Sequence, residues 1–244
     1  MPDVPDWISI AAALAIAAAG GLVRGVTGFG GAMVMIPPLT LLFEPRLAVP
    51  PVLMLETAAI ASMLRPALPL ANGRLLVPLG FAACLAVPLG SAVMAFADPS
   101  LLRRLIAAIV AAFSLLLLLG GRLRTRPSTG PSLLLGAFSG TLVGATGIGA
   151  PPVIVYLLAS PEPAAVTRAN LAIFVALISG AALLAFVAMG LLGSWHLWAG
   201  LAMAPFFFGG LALGTRLFTR LSDTRFRQFA LCLLVAVSTG ILLA

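Results

Sequence analysis

Two short glycine-rich stretches are the places where this sequence could do chemistry: GVTGFG at residues 25–30 and GATGIG at residues 144–149. Each follows an apolar run and precedes a shorter one. Glycines let the backbone leave the helix and expose amide groups that a continuous helix satisfies internally. A helix that restarts just after such a break points its first free N–H groups and its positive dipole end into the gap, which makes an anion site. Thr27 and Thr146 fall inside the two breaks and could add hydroxyl donors. Close packing of helices in the manner of GxxxG pairs is the other reading of the same glycines. The threonines and the nearby proline pairs Pro37-Pro38 and Pro151-Pro152 favour local unwinding.

The remaining polar residues within apolar runs are few. Glu56 is the one carboxylate in the middle of such a run, where burial costs several kcal/mol unless the group is neutral or paired. Two reasons for its presence stay open: coupling transport to a proton, and a structural ion pair with Arg24, the arginine beside the first glycine break. Arg24 could also hold an anion bidentately. Asn170 falls near the place of Glu56 in the second half once a five-residue gap is allowed, and would either bond a substrate or hold helices together. Arg168, close to a loop, reads as a topology signal. His196, between Trp195 and Trp198, reads as part of an interfacial aromatic belt and not as a metal ligand. Cys84 and Cys232 read as packing residues. No Ser/His/Asp or paired-carboxylate set lies at membrane depth, so hydrolytic enzyme chemistry lacks its residues, and no cofactor or metal is implied.

The elements that position these groups follow from composition. Of 244 residues, 61% are hydrophobic and 9% charged, with mean hydropathy +1.17, against about 25% charged in soluble domains. This predicts an all-α polytopic membrane protein. All 14 basic residues are Arg and the formal net charge is +7. The arginines sit in gaps between apolar runs and are not interleaved with aromatics on one face, which argues against nucleic acid as a partner. Apolar runs cover residues 7–23, 32–43, 47–64, 75–96 and 101–119, then 132–143, 151–159, 164–189, 195–217 and 226–243. The first run follows Asp3 and Asp6 and has no cleavage site after it, so it reads as a retained membrane segment. Between the two sets lies RLRTRPSTGP, read as a basic cytoplasmic linker over residues 122–131, which divides an N-terminal repeat at 1–121 from a C-terminal repeat at 132–244.

The two halves also match in sequence: the glycine motifs align, and Gly90-Ser91 with the run beyond it matches Gly214-Thr215. Five segments per half is an odd number, which predicts an inverted repeat. Counting every segment puts eleven arginines on one side and three on the other. Treating each glycine-broken pair as one crossing would split them eight to six, so the odd count fits the positive-inside rule better. Both termini are then extracytoplasmic, in a cell (plasma or inner) membrane. The pieces after the breaks reach about 18 and 14 Å as helices, against a hydrocarbon core of about 30 Å. Whether the first two segments of each half cross fully or re-enter is left open.

The glycine-rich GLVRGVTGFGG, its echo GTLVGATGIGAPP, the five-segment unit and the basic central linker resemble the sulfite exporter TauE/SafE family of membrane permeases. The resemblance implies a secondary active transporter for small sulfur-containing anions such as sulfite or organosulfonates, working by alternating access around a midplane site. By motif match that site takes Gly25, Thr27, Gly28, Gly30 and Gly31 with Gly144, Thr146, Gly147 and Gly149; the second motif departs from the pattern at Ala150 and Pro151. Arg24 and Asn170 join them as binding candidates, and Glu56 as the proton-coupling candidate. An anion channel of the same fold and a non-transporting membrane assembly factor are the alternatives. The identity of the anion, the direction of transport, the coupling ion and the oligomeric state, a homodimer included, are not fixed by the sequence.

Overall fold

The structure is a computed structural model that describes residues 6–118, 129–158 and 162–218. Its described residues form ten α-helices and no strand: α1 (Trp7–Thr27), α2 (Gly31–Leu42), α3 (Pro45–Ala58), α4 (Ile60–Ala67), α5 (Gly73–Phe96), α6 (Pro99–Leu118), α7 (Thr129–Thr146), α8 (Pro151–Leu158), α9 (Ala164–Ala188) and α10 (Ser194–Phe218). The last expected segment, most of the basic linker and Cys232 lie outside the described residues. Helix α7 begins at Thr129, three residues inside the expected linker. Four helices, α1, α5, α9 and α10, are long and apolar enough to cross a membrane, and α3 with α4 makes a fifth when the bent pair is taken as one span.

Local sequence explains the ends of these helices. Asp6 caps α1 by accepting a 3.1 Å hydrogen bond from the Ser9 amide. Hydrogen bonds from Ser9 hold this exposed carboxyl below its ordinary range, and its charge suits a helix N-terminus. At the other end Gly28 takes a left-handed conformation (φ 80°) and its N–H closes on Arg24 O, the usual glycine stop. The run expected over 47–64 is not straight. It bends after α3, where the Thr57 hydroxyl bonds Leu53 O one turn back and Ala59 N–H is shared between Leu55 O and Thr57 O, a pattern that bends helices.

Two helix pairs organise the bundle. Helix α1 packs against α10, and α7, its counterpart in the second half, packs against α5, the counterpart of α10. In both pairs the backbones touch through glycine. A Cβ on Gly21 would strike the Phe207 backbone and one on Gly25 the Leu211 backbone; equivalently, one on Gly140 would strike Ala83 and one on Gly144 would strike Val87. Contact positions rise together along both partners, so the helices of each pair run in the same direction. Gly90 faces Thr141 and Ala145 as Gly214 faces Leu22 and Val26, so the matched Gly90 and Gly214 occupy corresponding places. With no net hydrophobic gain between helices in lipid, such small-residue contacts and the dispersion they allow are what hold the pairs. On the outer face of α5, Val77, Phe81, Leu85 and Leu89 stay exposed, a lipid-facing stripe at four-residue spacing.

Helix α2 does not continue α1. Its first residue, Gly31, and Met35 one turn on both lie against Gly20, well back along α1, so the chain doubles back. The second half repeats this: Gly149 lies against Ser139 and Val143 of α7. Both short helices therefore return along the helix that precedes them.

His196 is not part of an exposed belt. It is buried, its Nδ1 accepting from Gly193 N–H at 2.9 Å and its Nε2 bonding Arg46 O at 3.0 Å, which ties the start of α10 to α3. Trp198 is exposed, as an interfacial aromatic is.

Gly21→Ala and Gly140→Ala are expected to lower stability by about 1–3 kcal/mol through overpacking. Gly209→Ala, whose Cβ meets nothing within 4 Å, should leave it unchanged or raised. Thermal unfolding in detergent measures the difference.

Candidate functional site

The two glycine turns are built alike. Gly147 is left-handed (φ 75°) as Gly28 is, and its N–H closes on Val143 O. Thr27 donates to Val23 O at 2.9 Å and accepts from Phe29 N–H at 3.1 Å. Thr146 donates to Leu142 O at 2.8 Å and accepts from Ile148 N–H at 3.3 Å. Each threonine hydroxyl thus spends its one hydrogen inside its own turn and shapes the break. The Ser139 hydroxyl bonds Gly149 O and pins the second turn to α7.

The turns meet. Gly30, Ala32 and Met33 from the first and Gly147 to Ala150 from the second line one cavity, together with Glu56 of α3 and Val175 and Ser179 of α9. Its volume is about 10 Å³, room for one water. A larger cavity, about 360 Å³, lies between α1, α2, α3 and α10, but its lining, including Leu14, Phe43 and Trp198, is apolar and offers an anion nothing.

What the two turns present to the shared cavity differs. In α2 the first intrahelical bond runs from Val34 N–H to Gly30 O, which leaves the amides of Gly31, Ala32 and Met33 outside the helical ladder. In α8 it runs from Ile154 N–H to Ala150 O; Pro151 and Pro152 have no N–H, so only Val153 contributes an amide from that turn.

The start of α2 is met by Glu56, whose Oε1 lies where a Cβ on Gly31 would be. The carboxylate is fully buried, and its Oε2 stands 3.0 Å from Nε of Arg24, also fully buried. The contact is close but poorly aligned, since Arg24 Nε has no hydrogen-bond partner, while the Ala32 N–H at the start of α2 acts on the carboxylate. The rest of the Arg24 guanidinium is engaged with backbone: Gly28 O on its own turn and Ala172 O of α9 at 3.1 Å.

Arg168, read from sequence as a topology marker, belongs to this cluster. From α9 it donates to Val26 O at 3.2 Å and to Gly25 O at 2.5 Å and lies 4.3 Å over the Phe218 ring. Two guanidiniums therefore clasp the carbonyl end of α1. No signal in the sequence marks this, because the carbonyls it binds are 142 and 143 positions away.

Asn170 is not brought to the cavity. Its Oδ1 accepts from Asn72 N–H at 2.8 Å, and Glu162 Oε1 accepts from Asn72 Nδ2 at 3.1 Å, a polar cluster near the start of α9. Nor does it correspond to Glu56. A shift of 119 positions takes Gly28 to Gly147 and Val49 to Arg168, and the contact of Gly28 with Arg168 is mirrored by that of Gly147 with Val49. By α5 and α10 the shift is 124, taking Gly90 to Gly214. The counterpart of Glu56 thus falls between Val175 and Gly180, where no residue is charged. On the first shift, Val143 stands where Arg24 does, so the second turn has no charged cluster of this kind. Gly25 and Gly144 are packing positions on α10 and α5 and do not line the cavity.

The sequence profile described as Sulfite exporter TauE/SafE matches residues 12–241, nearly the whole chain. The chain belongs to the sulfite exporter TauE/SafE family. No curated protein and no solved structure matches it. As a TauE/SafE-family protein it is a multi-pass membrane protein of a transporter family associated with sulfur-containing anions, not of an enzyme family.

Glu56→Ala is expected to cost about 3–5 kcal/mol by leaving Arg24 buried without its counter-charge. Replacing both residues with Leu should cost much less than the two single changes together. A double-mutant cycle on unfolding in micelles reads the coupling.

Proposed function

We propose that this chain is a secondary active carrier of small sulfur-containing anions, with the cavity between the two glycine turns as the substrate site. The observation that carries the proposal is convergence: both turns wall one cavity, with a buried carboxylate at its edge. The amides at the start of α2, where Ala32 N–H is shared with the Glu56 carboxylate, and the dipole ends of α2 and α8 are the attraction offered to an anion. Gly28, Gly30, Gly147 and Gly149, with Thr27 and Thr146, hold the backbone open there. Arg24 contributes charge and not a free fork, because its donors are already engaged.

Alternating access around this site is the proposed mechanism, and the shared direction of α1 with α10 and of α7 with α5 supports it. In a chain whose segments alternate in direction, the first segment of one half and the fourth of the other run the same way only when the halves enter with opposite orientations. We place both termini outside, in a plasma or inner membrane, in line with the arginine count. A cavity that admits one water is closed to a sulfur oxyanion, so loading requires the turns to part, which favours a carrier over an open channel.

Glu56 is the carboxylate available to carry a coupling proton. It faces Arg24 on α1 and the start of α2, with Arg168 of α9 beyond. In proteoliposomes the wild-type chain is expected to give saturable counterflow of a sulfur anion; conductance rising linearly with voltage without saturation would favour a channel. Gly147→Leu forces a side chain onto Ile36 and Val49 at a positive φ and should abolish counterflow while the protein still inserts. Full transport by this variant would refute the site. Glu56→Gln is expected to remove the dependence of transport on pH, and unchanged pH dependence would leave the carboxylate its ion-pair role alone.

A further inference from the structure

We propose, resting on the transport reading above, that the site selects singly charged anions, such as a sulfonate or hydrogen sulfite, over doubly charged ones such as sulfate or fully ionised sulfite. The basis is the charge built into the protein around the first turn. Arg24 and Glu56 are both fully buried. Arg168 is largely withdrawn from solvent, and its partners among the described residues are two carbonyls and an aromatic ring. Among the described residues the cluster thus holds two guanidiniums and one carboxylate.

The helix ends nearby do not change this sum. The carbonyl end of α1 and the amide end of α2 carry partial charges of about one half, of opposite sign, and they adjoin. With Glu56 ionised, the sum over Arg24, Arg168 and Glu56 is one positive charge; Glu56 lines the cavity, and the two guanidiniums stand behind it on the first turn. The Glu56 carboxylate borders the cavity, so its charge is felt by anything bound there.

A monoanion brings the cluster to neutrality. A dianion brings an extra charge into a low-dielectric site, where no further counter-charge offsets the loss of its hydration. A neutral solute leaves the excess cation unpaired. Charge selection of this kind depends on the sum and not on any single contact, so changing the sum by one unit in either direction should move the preference.

Methanesulfonate and sulfate are similar tetrahedral probes that differ by one charge. Binding of each to the purified full chain in nanodiscs, at matched ionic strength, reads the preference. The wild type is expected to bind methanesulfonate at least about tenfold more tightly than sulfate, the loss that one uncompensated buried charge implies. Glu56→Gln raises the sum by one and should invert the order. Arg168→Gln lowers it by one and should weaken methanesulfonate at least about tenfold, while Arg168→Lys, which keeps the charge but not the fork, should retain most of the binding. Equal binding of the two anions by the wild type would leave the transport reading standing and overturn the charge rule. So would an unchanged preference in folded Glu56→Gln. If Glu56→Gln does not fold, the two Arg168 variants decide, and equal losses in both would overturn the rule. Binding of neither anion to the wild type would fell the transport reading together with this inference.

Discussion

A guanidinium and a carboxylate 3.0 Å apart, both sealed from solvent inside an apolar bundle, set the constraint on which the rest of the structure depends. Neither can be left alone there. Removing the partner of a buried charge costs far more than the pair contributes, so the helices that bring Arg24 and Glu56 together must hold their places. Arg24 comes from the last turn of α1, Glu56 from α3, and both meet where α2 begins. Arg24 also reaches Ala172 O, and Arg168 from the same helix reaches the end of α1. One charged knot thereby fixes the first glycine turn to helices of both halves.

Glycine serves two purposes in the same short motifs. Gly25 and Gly144 let α1 and α7 lie backbone to backbone against α10 and α5, a packing role. Gly28, Gly30 and Gly147 take positive φ and turn the chain back on itself, a role no other residue fills without strain. Packing and turning thus fall to different glycines of one motif. Packing brings the two turns to one cavity, whose anion-binding role is the proposal made above.

Much of this was readable in the sequence. The glycine breaks, the shortness of α2 and α8 and the membership of the family all rest on local pattern. The weakness of the second amide turn was readable too, in Pro151 and Pro152. What escaped depends on distant partners. Arg168 looked like a loop charge because its acceptors lie in α1, and His196 looked like a belt residue because Arg46 O is 150 positions away. Asn170 falls opposite Glu56 only with the gap between the halves on the wrong side; the mirrored contacts of Gly28 and Gly147 fix the register. The bend after α3 arises from a threonine bonding its own helix, an interaction that composition does not reveal.

The central claim is that the two turns form one anion site. The most direct measurement is protection of single cysteines, Ala32→Cys or Ala150→Cys in a chain whose Cys84 and Cys232 are replaced by Ala, one on each wall of the cavity, from a membrane-permeant maleimide. Methanesulfonate should slow labelling of both positions with the same half-saturating concentration. Protection of one position alone, or protection of the two at widely different concentrations, would contradict a shared site.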